Sequence, residues 1–123
     1  MKNYKYFKSS EFVCPCCGKE KMKDDFVELL DDAREFAQIP FKINSGYRCE
    51  KHSEKLKEKG YKVAKNSPHL RGWAADIHCI DSRSRAYIIE ALAYAGFNRI
   101  GIAKNFIHVD NEPCKDEHVI WVY

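Results

Sequence analysis

Asn66-Ser67-Pro68-His69-Leu70-Arg71-Gly72-Trp73-Ala74-Ala75-Asp76-Ile77 and, further on, Phe106-Ile107-His108-Val109-Asp110 decide how this chain is read. Trp73 to His78 has the apolar character of a buried strand, and Phe106 to Asp110 reads as another. Together they offer two imidazoles and one carboxylate, His69, Asp76 and His108. Such a set leaves a tetrahedral zinc one open position, whereas structural zinc sites are closed by four protein ligands, often thiolates. An extended chain would hold His69 and Asp76 apart, so Leu70-Arg71-Gly72 has to turn if both are to reach one ion.

Working outward, Arg99 to Ala103 and Phe106 to Asp110 form a β-hairpin about Lys104-Asn105, with His108 on the second strand. His118 to Val122 can add an edge strand. Ser82 to Ala95 is a helix, started by Asp81 or Ser82 and stopped by Gly96. Upstream, Met22, Phe26, Leu29, Leu30, Ala33, Phe36 and Ala37 recur at helical spacing and predict a helix from Lys23 to Ala37. Phe41 to Asn44 reads as a strand entering the Ser45-Gly46 turn. A short helix from Ser53 to Lys59 stops at Gly60, and Gly60 to Pro68 reads as a mobile loop. The expected architecture is α+β: a small antiparallel sheet, helices packed on one side, and a zinc site at the sheet edge or cleft.

Length and composition bound the answer. With 123 residues, 45% apolar and 32% charged, a single domain over 1–123 is expected, residues 1–20 being a cysteine-containing N-terminal segment. The net charge of +3 is spread among mixed lysines and acids, which reads as solvated surface and predicts no nucleic-acid partner. No run approaches the roughly 18 apolar residues of a membrane span, and Met1 to Lys8 has no apolar core of a signal peptide. The expectation is cytoplasmic synthesis without a signal peptide.

Six cysteines under that expectation suggest thiols or metal ligands before disulfides. Cys14-Pro15-Cys16-Cys17-Gly18 has the form of a zinc knuckle, and Cys49-Glu50-Lys51-His52 offers a matching Cys-x-x-His. Cys14, Cys17, Cys49 and His52 form a candidate second, structural zinc site, with Cys16 as a substitute ligand. Free thiols, a disulfide or a redox pair are the competing readings. Cys79 and Cys114 have no evident partners.

The run Ser67, His69, Gly72, Ala74 and Asp76, followed by Ile107-His108-Val109-Asp110 and preceded by Ser45-Gly46-Tyr47-Arg48, resembles the D-alanyl-D-alanine carboxypeptidase-like zinc metallopeptidases. Ala95-Gly96-Phe97 and Arg99-Ile100-Gly101 extend the resemblance, which is closest to the small bacterial and phage members. It implies the Hedgehog/DD-peptidase fold, a catalytic Zn2+ on His69, Asp76 and His108, and a peptidoglycan peptide as substrate. It also implies that Arg48 binds or polarises that substrate, where the alternative is a surface salt bridge.

Many relatives carry a glutamate, aspartate or histidine shortly before the last zinc histidine. Here that stretch is Ala103-Lys104-Asn105-Phe106. Asp110 is the nearest acid on the same strand face and is open to two readings, activating water or orienting a ligand. His78 alternates onto the face of Asp76, and Tyr47, Trp73 and Ser67 are candidates for the substrate cleft. Tyr47 and Trp73 can equally fill core, His78 can be a surface residue, and Ser67 can hold the His69 loop by its hydroxyl.

The leading expectation is a monomeric zinc peptidase, carboxypeptidase or endopeptidase, acting on the cell wall after release, as an endolysin of phage or prophage origin that depends on a holin. A non-catalytic, zinc-stabilised wall-binding or virion structural module is the alternative. A zinc-ribbon nucleic-acid binder is a third.

Overall fold

Helix α1 (Asp24–Ala37) begins with Asp24 and Asp25 beside its unpaired amides and buries Phe26, Val27, Leu30 and Ala33. These and the following assignments come from a computed structural model that describes residues 1–64 and 66–123; of the loop expected over Gly60 to Pro68, position 65 lies outside the described residues. Strand β1 (Ile43–Ser45) leads to helix α2 (Glu50–Glu58), and strand β2 (Ala74–His78) follows a 3-10 turn at Pro68–Arg71. Helix α3 (Ser82–Ala95) precedes strands β3 (Arg99–Ile102), β4 (Phe106–Asp110) and β5 (Val119–Val122).

The ends of α3 follow directly from its flanking residues. The Asp81 carboxylate accepts the Ser84 amide at 2.8 Å, and Gly96, at φ 110°, receives the chain in the left-handed region. Helix α2 begins three residues before the expected Ser53. Cys49 stands at its N-cap, and Ser53 is buried inside the helix, its hydroxyl without a partner among the described residues. A 3-10 turn at Ser9–Phe12, unmarked by any sequence periodicity, carries the fully buried Phe12.

The strands form one sheet in the order β1-β2-β4-β3-β5. It is mixed rather than antiparallel, because β5 runs parallel to β3. The cause is the path after β4: that strand ends beside the start of β3, and residues 111–118 pass around this end to the free edge of β3. The chain therefore enters β5 in the same direction as β3.

Alternation divides the sheet between two tasks. Ala75, Ile77, Ile100, Ile107 and Val109 join Phe26, Leu30, Ile88 and Leu92 in one buried cluster, with α1 packed on α3. Burying side chains of this size stabilises by about 1.5–3 kcal/mol each before entropy is counted. The intervening positions make a row across the sheet by register: Ser45, Asp76, His108, Gly101 and Trp121. This row is the floor of the site. No helix among the described residues is long and apolar enough to cross a membrane.

Candidate metal centre

His69 reaches the sheet because the chain before β2 is wound into a tight turn. Ser67 caps it, its Oγ accepting the His69 amide at 3.3 Å, and Gly72 closes it at φ 79°. A Cβ on Gly72 would lie 1.9 Å from the Lys21 carbonyl oxygen, so a glycine is required where the N-terminal segment crosses. Asp76 and His108 need no such device, since they face each other directly across β2 and β4. The three donor atoms converge: His69 Nε2 lies 3.2 Å from Asp76 Oδ1 and 3.3 Å from His108 Nδ1, which is 3.0 Å from Asp76 Oδ1.

The outer nitrogens decide what those atoms are. His69 Nδ1–H donates to the Gly46 carbonyl at 2.7 Å, and His108 Nε2–H donates to Asp110 Oδ2 at 2.7 Å. Both inner nitrogens then present lone pairs to a carboxylate, three acceptors with no donor among them. Such a group needs a cation at its centre. Neighbouring ligands of a tetrahedral zinc are about 3.3 Å apart, which matches the observed spacing. With only a proton available the same demand is visible: burial lowers the pKa of His108, but hydrogen bonds to Asp110 and Asp76 outweigh it and raise it to about 9. His69, fully buried, is pushed down by desolvation, while Asp76 is held well below the usual carboxylate range by the two imidazoles despite its burial.

Asp110 is buried with both oxygens engaged, Oδ2 by His108 and Oδ1 by Arg99 Nε at 2.6 Å. Arg99 and Asp110 extend the hairpin register in which Ile100 pairs with Val109. A second clamp joins the ligand-bearing segments. Arg71 donates through Nε and Nη2 to Glu112 at 2.5 and 2.7 Å, tying the His69 turn to the chain just after β4. Arg48 comes from the turn after β1, its amide donating to the His69 carbonyl and its Nη2 lying 3.5 Å from Asp76 Oδ2. Among the described residues its Nε is buried without a partner, an unused donor near the donor cluster.

His69, His108, Arg48 and Ser67 open onto a cleft of about 870 Å3 whose far wall is β5, with Trp121 and Tyr123. Gly101 makes room for this wall: a Cβ there would lie 2.5 Å from Trp121 Nε1 and 2.9 Å from the Tyr123 ring. The indole lies 5.5 Å from the His108 ring, with the Arg99 guanidinium 5.4 Å from the indole. Burial raises the Tyr123 phenol, with the Asp76 charge adding to it, so the hydroxyl stays protonated. Among the described residues, the cations lining the cleft are Arg48, Lys57, Lys62, Arg99 and Lys115, and the carboxylates are Asp110 and Asp116.

Three cleft candidates stand elsewhere. Tyr47 is buried in the main core, its amide bonded to the Phe12 carbonyl. Trp73 packs partly buried against the same cluster. His78 is exposed opposite Phe106, two residues or about 7 Å along β2 from Asp76, which carries it past the cleft. The residues that sequence reasoning missed are Gly46, which acts through its carbonyl, and Arg99, Trp121 and Tyr123. Folding the hairpin about Lys104-Asn105 would have set Arg99 against Asp110; no local signal marked the other three.

Cys14, Cys17 and Cys49 form a second group, their sulfurs all within 4.8 Å of one another. His52 is not part of it, although it is half-buried in the first turn of α2. Cys79 is buried, its Sγ 3.6 Å from the Asp81 carbonyl oxygen, and Cys114 is exposed.

A family model described as Peptidase M15 matches residues 5–110. The matched span contains His69, Asp76, His108, Arg48 and Asp110 and ends with β4. No curated protein matches the chain.

Proposed function

Since the chain belongs to the peptidase M15 family, and is thus a zinc metallopeptidase of the kind that acts on peptidoglycan-type peptides, we propose that it cuts an amide bond of stem or cross-link peptides in this cleft. The observation that carries the assignment is the convergence of two imidazole lone pairs and one carboxylate on a single point open to the cleft. His69, Asp76 and His108 would hold the zinc. When bound, zinc supplies Lewis acidity, acidifying a water and polarising the scissile carbonyl.

The other residues have separable tasks. Arg48 presents unused donors beside the donor cluster, where a planar guanidinium steadies a substrate carboxylate or a developing oxyanion. Tyr123, protonated on the opposite wall, is a second donor for the same negative charge. Asp110 holds the proton on His108 Nε2, and Arg99 keeps Asp110 ionised, so we read Asp110 as a positioning residue rather than the acceptor of the water's proton. The excess of cations around the cleft suits the carboxylates of wall peptides.

The finer role we propose is lysis of the wall by a monomeric enzyme of phage or prophage origin, with a holin providing passage. Its support is the match between a small cationic cleft and anionic wall peptides. The non-catalytic alternative is disfavoured by a complete donor set opening onto a cleft.

Two experiments test these readings. Zinc-loaded protein incubated with purified peptidoglycan should release fragments whose masses identify the bond cut, and His108→Ala should release none. Absence of fragments from several wall types would remove the peptidase reading for those walls. Expression in a bacterial host should cause lysis only when a holin is co-expressed; no lysis with a holin would remove the lytic role.

A further inference from the structure

The cysteine group lies outside the cleft, and the peptidase reading makes no use of it. Cys14 is fully buried, and its Sγ lies 3.7 Å from that of Cys49. Neighbouring thiolates on a tetrahedral zinc with bonds of about 2.3 Å lie about 3.8 Å apart, whereas disulfide sulfurs are about 2.05 Å apart. Cys17 completes a set of three within 4.8 Å, one more thiol than a disulfide uses.

The backbone presents these sulfurs from a tight turn and from a helix end. Residues 14–18 form a knuckle in which the Gly18 amide donates to the Cys14 carbonyl at 2.8 Å and Gly18 takes φ 72°. Cys49 occupies the N-cap of α2, where the helix dipole favours a thiolate.

We propose that Cys14, Cys17 and Cys49 bind a second zinc ion, structural rather than catalytic, with its fourth ligand taken from His52 or Cys16. The position explains its use. Cys49 directly follows Arg48, and the neighbouring Tyr47 amide bonds to the Phe12 carbonyl. A zinc here ties the N-terminal segment to the turn that presents Arg48 to the cleft, cross-linking residues distant in sequence in a chain with a small core.

The test counts metal and is independent of peptidase activity. Protein purified under reducing conditions should contain two zinc ions per chain, falling to one in Cys17→Ser and to one in His108→Ala. Cys17 is exposed, so its replacement spares the buried core; Cys14→Ser should behave alike if it folds. Cobalt substitution should give intense thiolate-to-metal absorption in wild type and His108→Ala, strongly reduced in Cys17→Ser. One zinc per chain, lost entirely in His108→Ala, would overturn the proposal. So would a Cys14–Cys49 disulfide found by non-reducing mass spectrometry in protein never exposed to oxidant.

Discussion

Asp110 accepts the Nε2–H of His108 at 2.7 Å, and this one contact fixes which nitrogen of the ring faces Asp76. Replacing Asp110 by Asn leaves an amide that can turn either its oxygen or its NH2 to the ring and removes the charge opposing Arg99. Zinc affinity and kcat/KM should each fall about 10–100-fold with the fold kept. Competition with a chelating dye and steady-state assays at saturating zinc check this. Lost activity with unchanged zinc affinity would instead make Asp110 the proton acceptor.

Arg48→Lys keeps the charge and discards the planar fork. With zinc content unchanged, kcat/KM should fall by about 10-fold or more, roughly 1.4 kcal/mol of transition-state stabilisation, as expected for loss of a charge-assisted hydrogen bond. Wild-type kinetics in this variant would return Arg48 to a bystander paired with Asp76.

Gly101→Ala should push Trp121 and Tyr123 off the sheet, since nothing else can give way to a Cβ placed 2.5 Å from the indole nitrogen. Destabilisation of about 1–3 kcal/mol is expected, visible in denaturant melts, together with a raised KM. Zinc affinity should hold, because the ligands lie on β2, β4 and the His69 turn. Unchanged stability would show that β5 does not pack as described.

The pH dependence of the metal-free protein follows from His108. Its folded pKa of about 9 lies above the ordinary imidazole value of about 6.5, so its contribution is fully present below about pH 6.5 and lost as pH rises through 9. In chelated protein the stability margin of wild type over His108→Gln should therefore shrink across that window, by on the order of 3 kcal/mol. Taking the difference cancels the titrating groups that both proteins share. Stabilisation by added zinc should grow over the same range, because the ion displaces the proton. A margin that widens with pH would contradict the hydrogen-bonded cluster.

What could be read from residues alone was whatever had a local signature. Asp81 and Gly96 bound α3 because a cap and a left-handed stop act within one turn. His69, Asp76 and His108 could be named because zinc chemistry restricts the residue types and strand alternation restricts the face. The parallel pairing of β5 had no such mark. Val119 to Val122 reads the same whichever strand it joins, and its direction is set by the path around β4. Trp121 and Tyr123 went unseen for that reason. Asp110 was visible but ambiguous, because its role rests on a partner, Arg99, that only the hairpin register brings near.

Gly101 has a consequence for how such an enzyme can diversify. One missing side chain lets the chain that follows the family-matched span, residues 5–110, set two aromatic rings on the cleft wall beside the donor cluster. The ion-holding residues and the rings that greet the substrate thus occupy separate stretches of chain. Exchanging the closing strand could retune which peptide is admitted while the coordination chemistry stays untouched.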